Sequence, residues 1–215
     1  MSVEQTGIAL AGVRNAQSSL KDEIVRVAVE LGTELGEDGL TMRGIASRLG
    51  VSATALYQHF EGKASILRAI RLHGLSMINA VLEPCFAGPD GLECIADASR
   101  TYIRFARDNQ WLYGVLFAGE GMNQSPLNQD EHTLIRHSND KLIACFQRAK
   151  DAGRLRDDVD VKSAPLLVWA ANHGLAALMI NGRIGVGMQG AMTPDDEAAF
   201  VDNFVKTNVS GFQRA

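Results

Sequence analysis

Several things are scarce in this chain, and each scarcity closes a possibility. Its 215 residues hold three cysteines, Cys85, Cys94 and Cys145, an odd set without a CxxC pair. That is no disulfide framework and no thiolate metal site. Reduced thiols are the plain reading, and a redox sensor involving Cys85 and Cys94 is the alternative. No run of 18 apolar residues occurs, which argues against a membrane-spanning helix. The first residues lack the basic region and apolar stretch of a secretory signal, so a cytoplasmic location is expected. Alternating apolar and polar residues never extend far enough for a useful strand. Positive charge is also in short supply, with a formal net charge of -4.

The chain does contain helix. Ser19 with Asp22 makes a capping-box start, and Leu20, Ile24, Val27, Ala28, Leu31 and Leu35 follow at helical steps, ending near Gly36 or Gly39. Thr41 caps a second helix, which Gly50 closes, and Ser52 caps a third. Ile66, Leu67, Ile70, Leu75, Ile78 and Leu82 place a long helix between Lys63 and about Pro84. Later helices are expected over about 91–108, 110–118, 125–152 and 161–180, and from Thr193-Pro194 onward. The start of the helix near 161 depends on whether Ser163 or Asp160 caps it. The count is about nine helices, an all-α fold.

Residues 39–63 have the shape of a helix-turn-helix, two short helices around a glycine turn. Val51, Ala55, Leu56 and Phe60 face inward, and Thr54, Tyr57, Gln58 and His59 face outward. The overall acidity conceals a local pattern. From Leu40 to Arg71 stand Arg43, Arg48, Lys63, Arg68 and Arg71 against the single acid Glu61, a balance of +4. A basic patch on an acidic body suits specific DNA binding better than indiscriminate binding.

The run Leu40-Thr41-Met42-Arg43-Gly44-Ile45-Ala46-Ser47-Arg48-Leu49-Gly50-Val51-Ser52, with Leu56-Tyr57-Gln58-His59-Phe60 and Lys63, closely resembles the DNA-binding signature of the TetR family of bacterial transcription regulators. Leu166 to Met179 resembles the penultimate helix of a TetR subgroup with a Trp-x-x-x-His-Gly type signature in its C-terminal domain, here Trp169, His173 and Gly174. Residues 1–17 lack periodicity and read as a mobile tail; for the rest the resemblance implies a DNA-binding domain (18–63) and a ligand-binding and dimerisation domain (64–215) that opens with a connecting helix (64–84). It implies a homodimer on double-stranded, palindromic operator DNA, released by a small-molecule effector. Repressor is favoured over activator, and both stay open. Thr41 and Arg43 would meet phosphate or a base edge, and Ser52, Ala53, Thr54 and Gln58 the groove floor. Tyr57, His59 and Lys63 would clamp phosphates. Arg43 is the candidate for a guanine contact.

The resemblance also places an effector cavity among the middle helices. Its candidates are Met77, Phe86, Tyr102, Phe105, Trp111, Tyr113, Phe117, Met122 and Trp169, with Tyr102, Asn172 and His173 as polar groups. Leu167, Leu175, Leu178, Phe200 and Phe204, on the last two helices, are the dimerisation candidates. No cofactor, metal site or catalytic set is expected. Gly185-Val186-Gly187-Met188-Gln189-Gly190 matches G-x-G-x-x-G by letter but lacks the strand that a nucleotide fingerprint requires. His132 and His137 are five apart, off the spacing that puts two ligands on one helical face. The competing reading is an all-α small-molecule-binding protein or enzyme in which residues 39–63 are structural only.

Overall fold

A computed structural model describes residues 19–117, 127–184 and 193–214. Among these lie nine α-helices and no strand: α1 (Leu20–Gly39), α2 (Met42–Leu49), α3 (Ala53–Tyr57), α4 (Lys63–Leu82), α5 (Gly91–Asp108), α6 (Gln110–Phe117), α7 (Gln129–Asp151), α8 (Ala164–Ile180) and α9 (Pro194–Ser210). The tail 1–17, Met122, the Ser125-Pro126 helix start and the 185–190 glycine motif lie outside the described residues.

The helix ends follow from local chemistry. Ser19 and Asp22 form the capping box of α1, and Thr193 and Asp196 that of α9. Within α1 the backbone breaks at Gly36, where φ is 73°, a left-handed conformation that glycine adopts without strain. Helix α7 begins at an unforeseen box, with Asn128 as cap and Glu131 reaching back to it. Before α8 both candidates take part. Asp160 accepts hydrogen bonds from the amides of Lys162 and Ser163, while Ser163 occupies the cap position ahead of Pro165 in the first turn. A short 3₁₀ turn, Glu83–Ala87, takes in Pro84 after α4. There proline ends the long helix, because it has no N–H to give the turn before.

Helices α1 to α3 form a small unit whose core is Ile24, Ala28, Leu31, Ile45 and Leu56. Helix α4 runs out of this unit into the larger one, where α5 is the central element, packed by α7, α8 and α9. Two glycines permit unusually close approach. A Cβ on Gly91 would lie 2.0 Å from the Cys145 carbonyl oxygen, so the start of α5 rests on the backbone of α7. A Cβ on Gly32 would lie 2.1 Å from the Trp111 ring, so the indole of α6 beds directly on α1.

Among the described residues one ion pair is buried. Arg71 of α4 and Glu131 of α7 meet at 2.8 Å with side chains only 8% and 1% exposed. The second Glu131 oxygen accepts the Asn128 amide at 2.8 Å. The three thiols are free. Cys94 and Cys145 both flank the Arg148 guanidinium, whereas Cys85 neighbours the Thr101 hydroxyl. Burial pushes the Cys145 thiol up to about 11, which keeps it protonated and poorly reactive.

Candidate nucleic-acid interface and ligand cavity

The α2–α3 unit is held by three local devices. The Thr41 hydroxyl oxygen accepts the Gly44 amide at 3.0 Å. Gly50 turns the chain at φ 70°. The Ser52 hydroxyl oxygen accepts the Ala55 amide at 3.2 Å. Leu56 and Phe60 are buried and pin α3 to the core. What remains outside is a polar strip of Ser52, Thr54, Tyr57, Gln58 and His59, all exposed. Tyr57 is 56% exposed, a large ring outside the buried core. Ala53 departs from this strip, being half-buried and packed on the core, so its methyl serves the fold as well as any groove.

The cations are more specialised than the local charge suggests. Arg43 is exposed near the start of α2. Arg48 is a bidentate partner of Glu34 on α1, at 2.7 and 3.2 Å. Lys63 donates to the Glu37 carbonyl oxygen at 2.6 Å, fastening the start of α4 to the end of α1. Arg71 points inward to Glu131 and adds nothing to a surface patch. The +4 balance from Leu40 to Arg71 therefore overstates the outward charge. The sequence sum cannot distinguish a solvated arginine from one turned into the core.

The second candidate site is a cavity of about 280 Å³ enclosed by α4, α5, α7 and α8, with the 3₁₀ turn and the end of α6. Of the residues expected there, Phe86, Tyr102, Phe117, Trp169 and Asn172 line it. Tyr113 and His173 stand one step behind the wall. The Tyr113 hydroxyl lies 2.9 Å from the Tyr102 hydroxyl and 2.5 Å from His173 Nδ1. A neutral imidazole with its proton on Nε2 lets Nδ1 accept from Tyr113, whose oxygen then accepts from Tyr102. Burial lowers the His173 pKa and so favours that neutral form. Burial also raises both phenols, Tyr113 to about 12, leaving them as protonated donors. Trp169 stacks on His173 with ring centroids 5.2 Å apart.

Three expected lining residues are elsewhere. Phe105 is buried in the core, Met77 is half-buried against it, and Trp111 is committed to Gly32. Asn79, Ser99, Ser138 and Asn139, none of them among the expected residues, contribute polar groups to the wall. Asn79 did carry a signal, as a polar residue inside the Leu75, Ile78, Leu82 stripe.

Comparison with known proteins turns these shapes into a relationship. Residues 24–70 match the bacterial regulatory proteins of the tetR family. Residues 95–206 match the tetracyclin repressor-like C-terminal domain.

The chain belongs to the TetR family.

Its first unit is 49% identical over 47 residues to the class A tetracycline repressor of transposon 1721 from Escherichia coli, a match spanning 22% of each chain. The chain thus spans about a fifth of the length of the curated relatives matched there. A longer match, 22% identical over 178 residues, covers 83% of this chain and 78% of an uncharacterized HTH-type transcriptional regulator of Mycobacterium tuberculosis. A solved protein of unknown function from Rhodococcus sp. RHA1 has the same fold, with a TM-score of 0.75 at 24% identity over 94% of this chain and all of that one.

In this TetR-family chain, α8 presents an outer apolar face. Leu166 and Leu167 are each 60% exposed and Leu178 is 48% exposed. Leu175, expected on that face, is instead buried in the protomer core, since it falls on the side of α8 turned toward α5. Phe200 and Phe204 of α9 are half-buried against the core and only partly available. Among the described residues no helix is long and apolar enough to cross a membrane.

Proposed function

We propose that this TetR-family chain is a DNA-binding transcriptional regulator that acts as a homodimer on a near-palindromic operator and is released by a small molecule held in the α4–α8 cavity. The observation that carries the reading is the exposed strip on and beside α3. Its side chains are polar, its helix is anchored from behind by Leu56 and Phe60, and Tyr57 holds its ring largely in the open. A helix presented in this way fits a major groove. Arg43, beside it, supplies a donor suited to a guanine edge. The exposed Tyr57 and His59, with Lys63 once it leaves the Glu37 carbonyl, are the proposed phosphate contacts that would fix the register.

The exposed α8 face, with Leu167 and Leu178, is the proposed dimer surface, extended by the accessible parts of Phe200 and Phe204. The Trp169, His173 and Gly174 pattern supports placement in the Trp/His-Gly subgroup. The chain acts by binding, with no catalytic role assigned to any residue, and repression is the favoured outcome. The effector enters the thermodynamics by preferring the conformation that grips DNA poorly.

Mobility shift of the purified chain on its own upstream DNA, at low salt, tests the reading. Retardation is expected, with Tyr57→Ala weakening binding on all sequences. Lys63→Ala should also flatten the salt dependence, and Arg43→Ala should relax sequence preference. Equal binding by wild type and Tyr57→Ala, or no DNA affinity alongside ligand binding, would favour the reading in which residues 39–63 are structural only.

A further inference from the structure

The chemistry of the cavity wall says what kind of molecule fits. Among the described residues no Asp, Glu, Lys, Arg or His lines it. Most of the wall is hydrocarbon, supplied by residues such as Leu75, Ile78, Leu82, Leu142 and Val168. The polar groups present are amides and hydroxyls, and much of their capacity is already used. The Ser138 hydroxyl donates to the Asn79 amide oxygen, and Asn79 donates to the Leu134 carbonyl at 2.9 Å. Asn172 donates to the Ser99 hydroxyl oxygen at 3.0 Å, and Ser99 donates to the Ile95 carbonyl at 2.8 Å. What is left can exchange single neutral hydrogen bonds but cannot balance a full charge.

The rim has the same character. Ile135, Leu166 and Trp169 line the cavity and are exposed at the surface, so an entering molecule crosses apolar ground. On α4 and α7 the buried charges Arg71 and Glu131 are paired with each other and do not line the cavity. At about 280 Å³ the cavity falls just below the usual range for ligand sites, roughly 300–1,000 Å³, so the molecule it takes is small.

We infer that the cavity selects an uncharged, mainly hydrocarbon molecule carrying one or two hydroxyl or carbonyl groups, and discriminates against carboxylates, phosphates and ammonium cations. This rests on the cavity being the effector site proposed above. Placing a charged head group in such a wall strips its hydration and returns no counter-ion. A hydroxyl of the same chain length loses far less, because an amide or serine can answer it.

Three probes of matched chain length separate these possibilities on the full chain: 1-decanol, decanoate and decyltrimethylammonium, each below its aggregation threshold. Binding is read by tryptophan fluorescence, with Trp169 in the wall, and by the shift in thermal midpoint. Decanol is expected to bind at least about 100-fold more tightly than either charged probe. Ala98→Trp, which fills the cavity, should abolish decanol binding. Should that variant fail to fold, Leu166→Trp at the exposed rim obstructs the same entrance. Asn139→Arg, at an exposed lining position, should let decanoate in.

Each alternative result is decisive. Comparable binding of a charged probe that is lost in the filled variant leaves the cavity as a ligand site and overturns the selectivity. Decanol binding that survives cavity filling or rim obstruction, or no binding by any probe, removes the cavity itself as the site. Failure of Asn139→Arg to improve decanoate binding counts against charge as the discriminating property.

Discussion

Replacing Glu131 by Gln isolates the contribution of the one buried charge pair that joins α4 to α7. Glutamine keeps an oxygen able to accept the Asn128 amide, so the capping box survives in form. What disappears is the negative partner of Arg71, whose side chain is only 8% exposed at an ion-pair distance of 2.8 Å. Removing one member of such a pair strands the other in a poorly solvated site, at a cost of about 3–5 kcal/mol. For a chain of this size that is a fall in thermal midpoint of roughly 6–20 °C, at about 2–4 °C per kcal/mol. Arg71→Met should show a loss of similar order. The double variant Arg71→Met with Glu131→Gln should recover most of the sum, because two neutral groups in contact strand no charge. Urea and thermal unfolding followed by far-ultraviolet circular dichroism give the values, at one fixed protomer concentration since association adds to apparent stability. Strict additivity of the single losses, or a Glu131→Gln loss under about 1 kcal/mol, would refute the view that the two charges depend on each other.

Other perturbations test other contacts. Gly91→Ala forces a methyl group into the α7 backbone, with the Cys145 oxygen 2.0 Å and the Ala149 nitrogen 2.9 Å from the new carbon. A loss of about 1–3 kcal/mol or more is expected. Gly114→Ala, with open space around it, should instead gain roughly 0.4–1 kcal/mol, and urea midpoints compare the two. Leu167→Arg or Leu178→Arg on the outer face of α8 should lower the molar mass seen by light scattering toward that of a monomer while leaving helicity intact; an unchanged mass would move the dimer surface elsewhere. Burial lowers the pKa values of His73 and His173. The unfolded chain therefore binds more protons than the folded one just below the ordinary histidine value of about 6.5. Their contribution is intact above that pH and is lost as pH falls through it. His173→Gln should flatten part of this slope in denaturation series at pH 7.5 and 5.5, and an unchanged slope would assign it to other groups.

Much of the fold could be read directly because its punctuation is local. Ser19, Thr41, Gly50, Ser52 and Thr193 act within three or four residues of where they stand, and the structure uses each as its chemistry predicts. The polar strip was legible for the same reason, since Leu56 and Phe60 on one side of a short helix settle what faces the other. The cavity was less legible. Helical spacing separates an inner from an outer face but does not say which inner residues leave a gap. Phe86 and Phe105 look alike in sequence, yet one borders the cavity and the other fills the core. Least legible was Arg71. Its partner is sixty positions away, and charge summed along a chain carries no direction. Leu175 failed similarly, because an apolar residue on an apolar helix has two plausible sides.

The seat of Trp111 on Gly32 bears on where this chain can be cut. A fragment ending at residue 63 would keep the groove in α1 and lose the indole that fills it, exposing apolar surface along the middle of its longest helix. The helix-turn-helix is thus a reading head without a casing of its own. Grafting it onto another body would require a flat aromatic ring presented at the same height, opposite a residue with no side chain. Relatives that differ at either position cannot be assumed to exchange heads, however closely their recognition helices agree.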